Sequence, residues 1–233
     1  MSVYTPLMIA AFKKISTATL TTVLLKKGFK NVWVRGAFPL SNDQERVAGP
    51  AFTLRFIPAR EDLATPASWS APISTRSAIE QMSAGCIAIV GADGCTDAGV
   101  FGDILCQRMK QLNVAAMITD GVVRDIDGVL QTKLGIWAAG TSAPPSVAGL
   151  TFINWQEPIG CGGVAIMPND LVVADKDGAV IVPADLVSEV LEISIEQEKL
   201  EAWIMDEVRQ GASLPGLYPP NEANKRRYED AKK

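Results

Sequence analysis

The sequence contains no histidine, and that absence excludes more chemistry than any other feature of its composition. Without imidazole there is no Ser-His-Asp or Cys-His nucleophile, no histidine general base and no histidine-ligated zinc. Catalysis, if the chain performs any, falls to carboxylates, Lys, Arg, Tyr, Cys, backbone amides or a bound ion. A hard cation held by oxygen ligands is the natural substitute, because it polarises a carbonyl without a proton donor. Cysteine is scarce too. Cys86, Cys95, Cys106 and Cys161 include no C-x-x-C pair, which points to reduced thiols in a cytosolic protein rather than a disulfide scaffold. No apolar run reaches the roughly 18 residues of a membrane helix. The short stretch Pro6–Phe12 is followed by its lysines, the reverse of a secretory leader. A basic excess is also missing: 22 Lys and Arg against 26 Asp and Glu leave a net charge of −4, no electrostatic footprint for nucleic acid. The expectation is a soluble, cytoplasmic protein with no membrane and no nucleic-acid partner.

What is present suits a folded core. The 233 residues are 48% hydrophobic and 21% charged, which excludes wholesale disorder and fits one domain. No repeat or linker divides the chain, so residues 1–218 are expected to form a single domain and residues 219–233 a polar, loosely docked tail. Helical spacing over 7–27 stops at Gly28. Val32–Val34 and Ala51–Ile57 are predicted as strands, 59–72 as a polar loop, and Thr75–Met82 as a helix. An α/β rhythm follows: strand Cys86–Val90, helix Gly102–Leu112, strands Val114–Ile118 and Gly135–Ala139. Leu171–Ala174 and Ala179–Val182 flank Asp175-Lys176-Asp177-Gly178, a strong hairpin signal. Asp185 is expected to cap a long C-terminal helix, about 185–210, that ends at Gly211.

Chemistry-bearing residues concentrate in Gly99-Val-Phe-Gly102-Asp103 and Thr119-Asp120-Gly121-Val-Val-Arg124-Asp125. Asp103 falls at a helix N-terminus, where the amides of Ile104 and Leu105 would face outward and favour a carboxylate. Arg124 and Asp125 follow a strand and a turn, at the sheet edge where α/β proteins bind ligands. An Arg fork grips a 2-oxo acid bidentately, and a neighbouring carboxylate can hold a divalent ion. The same residues also read as an ordinary helix cap and a surface ion pair. Residue types and spacing alone leave both readings open.

The spacing of Asp103, twenty residues, then Arg124-Asp125 resembles the D-x20-R-D signature of the family named after regulator of ribonuclease activity A (RraA-like). That family includes 4-hydroxy-4-methyl-2-oxoglutarate / 4-carboxy-4-hydroxy-2-oxoadipate aldolases. Val47–Thr53, Gly102–Leu105, Asp120–Asp125, Ile159–Val164 and Asp175–Pro183 are similar to family blocks, in family order over roughly residues 15–220. The resemblance implies a three-layer β/β/α sandwich similar to the phosphohistidine swivelling domain, assembled as a homotrimer or hexamer. It implies a class II pyruvate aldolase that needs Mg2+ or Mn2+ and also decarboxylates oxaloacetate. Asp125 would ligate the metal through a largely hydrated shell, and Asp103 would orient a metal-bound water. Arg124 would contact the pyruvyl group of a 2-oxo acid substrate, with Gly102 and the amides of Ile104 and Leu105 completing the cradle. Gly99 and Gly121 would shape the loops around it. Glu198 or Glu201 would be an acid supplied by a neighbouring subunit's C-terminal helix.

Other residues read more plainly. Cys106 is expected to be a packed thiol rather than a nucleophile. Gly160-Cys-Gly-Gly163 lacks the lysine of a phosphate loop and is assigned to tight backbone packing. Arg55, Arg60, Glu61 and Asp62 could line the mouth that reads the distal part of the substrate. Ala116 and Asn169 depart from the family pattern, where glycine is common, and put loop shape in question. Two other functions stand against the aldolase. One is protein-binding regulation of a ribonuclease; the other is a lyase for a sugar-acid-derived 2-oxo compound.

Overall fold

The computed structural model describes residues 4–232; residues 1–3 of the expected domain and residue 233 of the expected tail lie outside them. The centre is a strongly curled mixed sheet. Its spine is β3 (Val47–Pro58), which pairs in parallel with β4 (Ile87–Gly91), then β5 (Ala116–Thr119), then β7 (Gly135–Ala138). On the other side β3 pairs antiparallel with β12 (Leu171–Asp175), which forms a hairpin with β13 (Gly178–Val182). Short strands β1 (Trp33–Val34) and β2 (Phe38–Pro39) close the two edges, and β9 (Leu150–Trp155) adds to the far half of β3. Two small pairs lie apart: β6 (Val122–Val123) with β8 (Gly140–Thr141), and β10 (Ile159–Cys161) with β11 (Val164–Ile166).

The sheet's period of two feeds two faces at once. Ala88 and Val90 pack outward against helices α3 (Thr75–Glu80), α4 (Asp103–Gln111) and α5 (Ile126–Gln131), while Ile87 and Ile89 pack inward against the β10–β11 hairpin. Likewise Val172 and Ala174 face inward, and Leu171 and Val173 meet α1 (Pro6–Phe12), α2 (Thr17–Lys26) and the 23-residue α6 (Val187–Arg209). Helices, curled sheet and inner hairpin are the expected three layers, and the long C-terminal helix is present.

Several elements differ from the sequence reading, each for a local reason. The strand expected over Ala51–Ile57 begins four residues earlier, through Gly49-Pro50. There β3 changes neighbours, pairing with β12 up to Pro50 and with β4 from Ala51. Gly49 is required by close approach: a Cβ would sit 2.4 Å from the Gly85 carbonyl oxygen. Asp185 does not cap α6; it lies in a 3-10 turn, Ala184–Leu186, that follows Pro183. The tail is not loose. Residues Glu222–Ala231 form α7, which seats Tyr228 on Trp203 of α6 with ring centroids 5.6 Å apart. Asn169 adopts φ 71°, a left-handed conformation asparagine tolerates, so the departure from glycine preserves the turn. Among the described residues no single helix is long and apolar enough to cross a membrane.

Candidate active site

The loops leaving β4 and β5 are stitched together before α4 and α5 begin. Val100 N–H donates to the Val122 carbonyl at 2.8 Å, and Arg124 N–H donates to the Phe101 carbonyl at 3.0 Å. This pairing sets Asp103 beside Arg124 and Asp125. Asp120 braces the construction from below. Its carboxylate accepts from the amides of Ala92 (2.8 Å), Gly162 (2.9 Å) and Gly94 (3.3 Å), tying both loops to the β10–β11 hairpin. Sequence reading gave Asp120 only a turn. The hairpin glycines are packing residues, as expected: Gly162 accepts the Arg35 amide at 3.1 Å.

Asp103 is the first residue of α4, and its Oδ1 accepts from the Ile104 amide at 2.7 Å. The expected open cradle is therefore partly filled by the protein's own carboxylate, and a ligand must displace that contact to use the Ile104 N–H. Asp125 has φ 54° and ψ 45°, a left-handed conformation costing a non-glycine residue about 1 kcal/mol or more. It precedes α5 without capping it; its Oδ2 instead accepts from Arg124 Nε at 3.0 Å. Both partners stay open to solvent, with side chains 35% and 45% exposed.

Two glycines make room for the carboxylates. A Cβ at Gly102 would lie 2.5 Å from Asp125 Oδ2, and one at Gly128 would lie 2.6 Å from Asp103 Oδ2. Asp103, Arg124 and Asp125 line a cleft of about 280 Å3 together with Gly99, Gly102, Ile104 and Leu105. The rest of the lining, missed from sequence, includes Trp69, Thr75, Arg76, Pro145 and Ser146. The usable signal was Trp69 inside a polar loop. Arg55, Arg60, Glu61 and Asp62 do not line this cleft; Arg60 and Asp62 form an exposed bidentate pair at 2.7 and 2.8 Å.

Among the described residues no cluster of three or more potential metal-binding side chains occurs. Asp125 and Asp103 offer hard oxygen donors in an open cleft, a fit for a divalent ion that keeps most of its water. Cys106, one turn into α4, is fully buried; burial, reinforced by the Asp103 charge, pushes its pKa up to about 12, so it is no nucleophile. Glu198 and Glu201 lie outside the cleft of their own chain. Glu198 accepts the Ser16 amide at 2.8 Å, and Glu201 accepts from Gln197 at 2.7 Å.

Residues 17–181 match the model of the RraA-like family, described as Aldolase/RraA. A protein of Halalkalibacterium halodurans with the provisional name 4-hydroxy-4-methyl-2-oxoglutarate aldolase is 31% identical over 65% of this chain and 66% of its own length. Protein DlpA of Legionella pneumophila is 26% identical over 76% of this chain, a stretch that spans only 28% of DlpA. Among solved structures, Streptomyces coelicolor RraAS2, an unusual member of the RNase ES inhibitor RraA protein family, superposes with TM-score 0.78 at 30% identity. That match covers 85% of this chain and 96% of RraAS2. An uncharacterized Pseudomonas syringae protein shares the fold with TM-score 0.81 at 24% identity, over 92% and 94% of the two chains. With well over half of its length matched, the chain belongs to the RraA-like family.

Proposed function

We propose that this protein is a carbon–carbon lyase, a divalent-metal-dependent aldolase that cleaves a 4-hydroxy-2-oxo diacid to pyruvate and a second oxo acid. The observation that carries this reading is the convergence of Asp103, Arg124 and Asp125 on one open cleft. Family membership and the provisional aldolase name of a relative support it. Asp125 would hold the Mg2+ or Mn2+ ion, which supplies Lewis acidity at the C2 carbonyl oxygen. Arg124 binds the C1 carboxylate and the same carbonyl oxygen, stabilising negative charge as it develops. Asp103 takes the proton of the C4 hydroxyl as the C3–C4 bond breaks. The bonding pair passes into the C2–C3 enolate, C4 becomes the carbonyl of the second product, and the proton held on Asp103 is returned to C3 to give pyruvate. Oxaloacetate loses CO2 through the same enolate, so decarboxylation belongs to the same site.

A second reading is protein-binding regulation of a ribonuclease, favoured by the similarity to RraAS2. Coupled pyruvate release with Mg2+ or Mn2+, then with excess EDTA, separates the two. Wild type is expected to release pyruvate from oxaloacetate and 4-hydroxy-4-methyl-2-oxoglutarate, with loss in EDTA and a decrease of about a hundredfold or more in Asp125→Ala. Turnover of a sugar-acid-derived 2-oxo compound alone would redirect the substrate assignment. Silence on all substrates despite bound metal would favour the regulator.

A further inference from the structure

Arg76 is out of place for a structural arginine. It lies on α3 four residues before Glu80, the spacing at which the two would ordinarily pair across one helical turn. Glu80 instead holds Arg108 of α4 in a bidentate pair at 2.7 and 2.8 Å. Among the described residues Arg76 has no carboxylate partner. Its contacts are the Trp69 ring, 5.2 Å below the guanidinium, and a 3.5 Å approach to Thr75 Oγ1. A guanidinium placed over an indole face is held there by cation–π attraction, while its N–H groups stay free to donate. Partial burial also lowers the Arg76 pKa from the ordinary guanidinium value, so its charge is incompletely solvated. This cation lines the same cleft as Arg124.

Building on the lyase reading, we infer that Arg76, held over the Trp69 ring, binds the distal carboxylate of the substrate and makes the enzyme selective for 2-oxo diacids over monoacids. Arg124 then takes the C1 carboxylate and the C2 oxygen, and Arg76 takes the terminal carboxylate. A substrate charged at both ends is held with C3 and C4 between them, beside Asp103 and Asp125. A monoacid leaves Arg76 without an anion and gains nothing from it.

Two arms test the inference. The first measures binding without turnover, by calorimetry in Mg2+, using 2-oxoglutarate and 2-oxopentanoate, which differ only at the terminal carbon. Wild type is expected to bind the diacid at least tenfold more tightly, Arg76→Gln to bind both alike, and Arg76→Lys to recover part of the preference. Unchanged affinity of Arg76→Gln for 2-oxopentanoate is the check that its fold is intact. The second arm compares turnover of a 4-hydroxy-2-oxo diacid with 4-hydroxy-2-oxopentanoate. Arg76→Gln should raise KM for the diacid ten- to a hundredfold and leave the monoacid unaffected. Equal binding of the two probes by wild type, or an equal loss for both in Arg76→Gln, overturns the inference. If wild type binds the diacid selectively but cleaves nothing, the lyase reading fails and the Arg76 subsite stands.

Discussion

Gly102 shows how little space is left around the Asp125 carboxylate. Its φ of −116° is open to any residue, so the backbone does not demand glycine. The demand comes from the neighbouring loop, where Asp125 Oδ2 occupies the volume a Cβ would need. Gly102→Ala should therefore push the Asp125 carboxylate aside while leaving helix and sheet intact. The expected outcome is a loss of kcat/KM of about a hundredfold for pyruvate release, with the thermal midpoint shifted by only a few degrees. Unchanged kinetics would mean that Asp125 works from another position. The Asp103, Arg124 and Asp125 set could be read from sequence because the motif fixes residue types and spacing. The rest of the lining could not. Trp69 and Arg76 reach the cleft from a 3-10 turn, Pro66–Ser70, and the short helix α3, whose spacing to Asp103 obeys no local periodicity, and only the fold brings them together.

At the scale of elements, legibility follows locality. The β12–β13 hairpin could be read because its Asp-Gly turn and alternating valines are adjacent in sequence. The start of β3 was hidden because Gly-Pro reads as a break, although its neighbours change there. Helix α7 was hidden because its stability comes from docking onto α6 rather than from an apolar face of its own. A long-range anchor of the same kind lies at the end of β12, where Asp175 accepts from the Thr17 hydroxyl (2.6 Å), the Thr17 amide (3.0 Å) and Arg46 Nε (3.1 Å). It thus joins β12 to the start of α2 and to the approach to β3. Burial alone would raise its pKa. The hydrogen bonds from Thr17 and the Asp177 amide, together with the Arg46 charge, outweigh burial and hold it below the ordinary carboxylate value. A depressed folded pKa means that the stabilisation is present above the unfolded carboxylate pKa and is lost as pH falls through the folded one. Asp175→Ala should cost about 3 kcal/mol at pH 7. The gap from wild type should narrow steadily below about pH 4, as measured by urea unfolding across that range. A gap independent of pH would assign the loss to packing instead of charge.

For the molecule as a whole, α6 raises the question of assembly. Only Val187, Val190, Ser194 and Ile204 of its 23 residues are buried, while Ile193, Met205 and Val208 remain open at 40%, 52% and 37%. A helix with that much apolar surface uncovered gains from a partner, and the resemblance implies three or six copies. The two candidate acids on α6 are not equivalent in this respect. Glu198 is committed to its own chain, where it accepts the Ser16 amide at the N-terminus of α2, a contact favoured by the helix dipole. Among the described residues Glu201 is held by Gln197 on the same helix, which leaves it the better placed of the two acids to reach a neighbouring cleft. Light scattering is expected to give three or six times the 24.9 kDa chain mass. Glu198→Gln should lower stability by about 1 kcal/mol and spare turnover, whereas Glu201→Gln should lower kcat tenfold or more. If Glu201 acts across an interface, unfolding and refolding Glu201→Gln together with Asp125→Ala must restore activity, because some clefts then combine an intact Asp125 with an intact Glu201. A mixture no more active than its components would confine each cleft to a single chain, and the open face of α6 would then serve assembly alone.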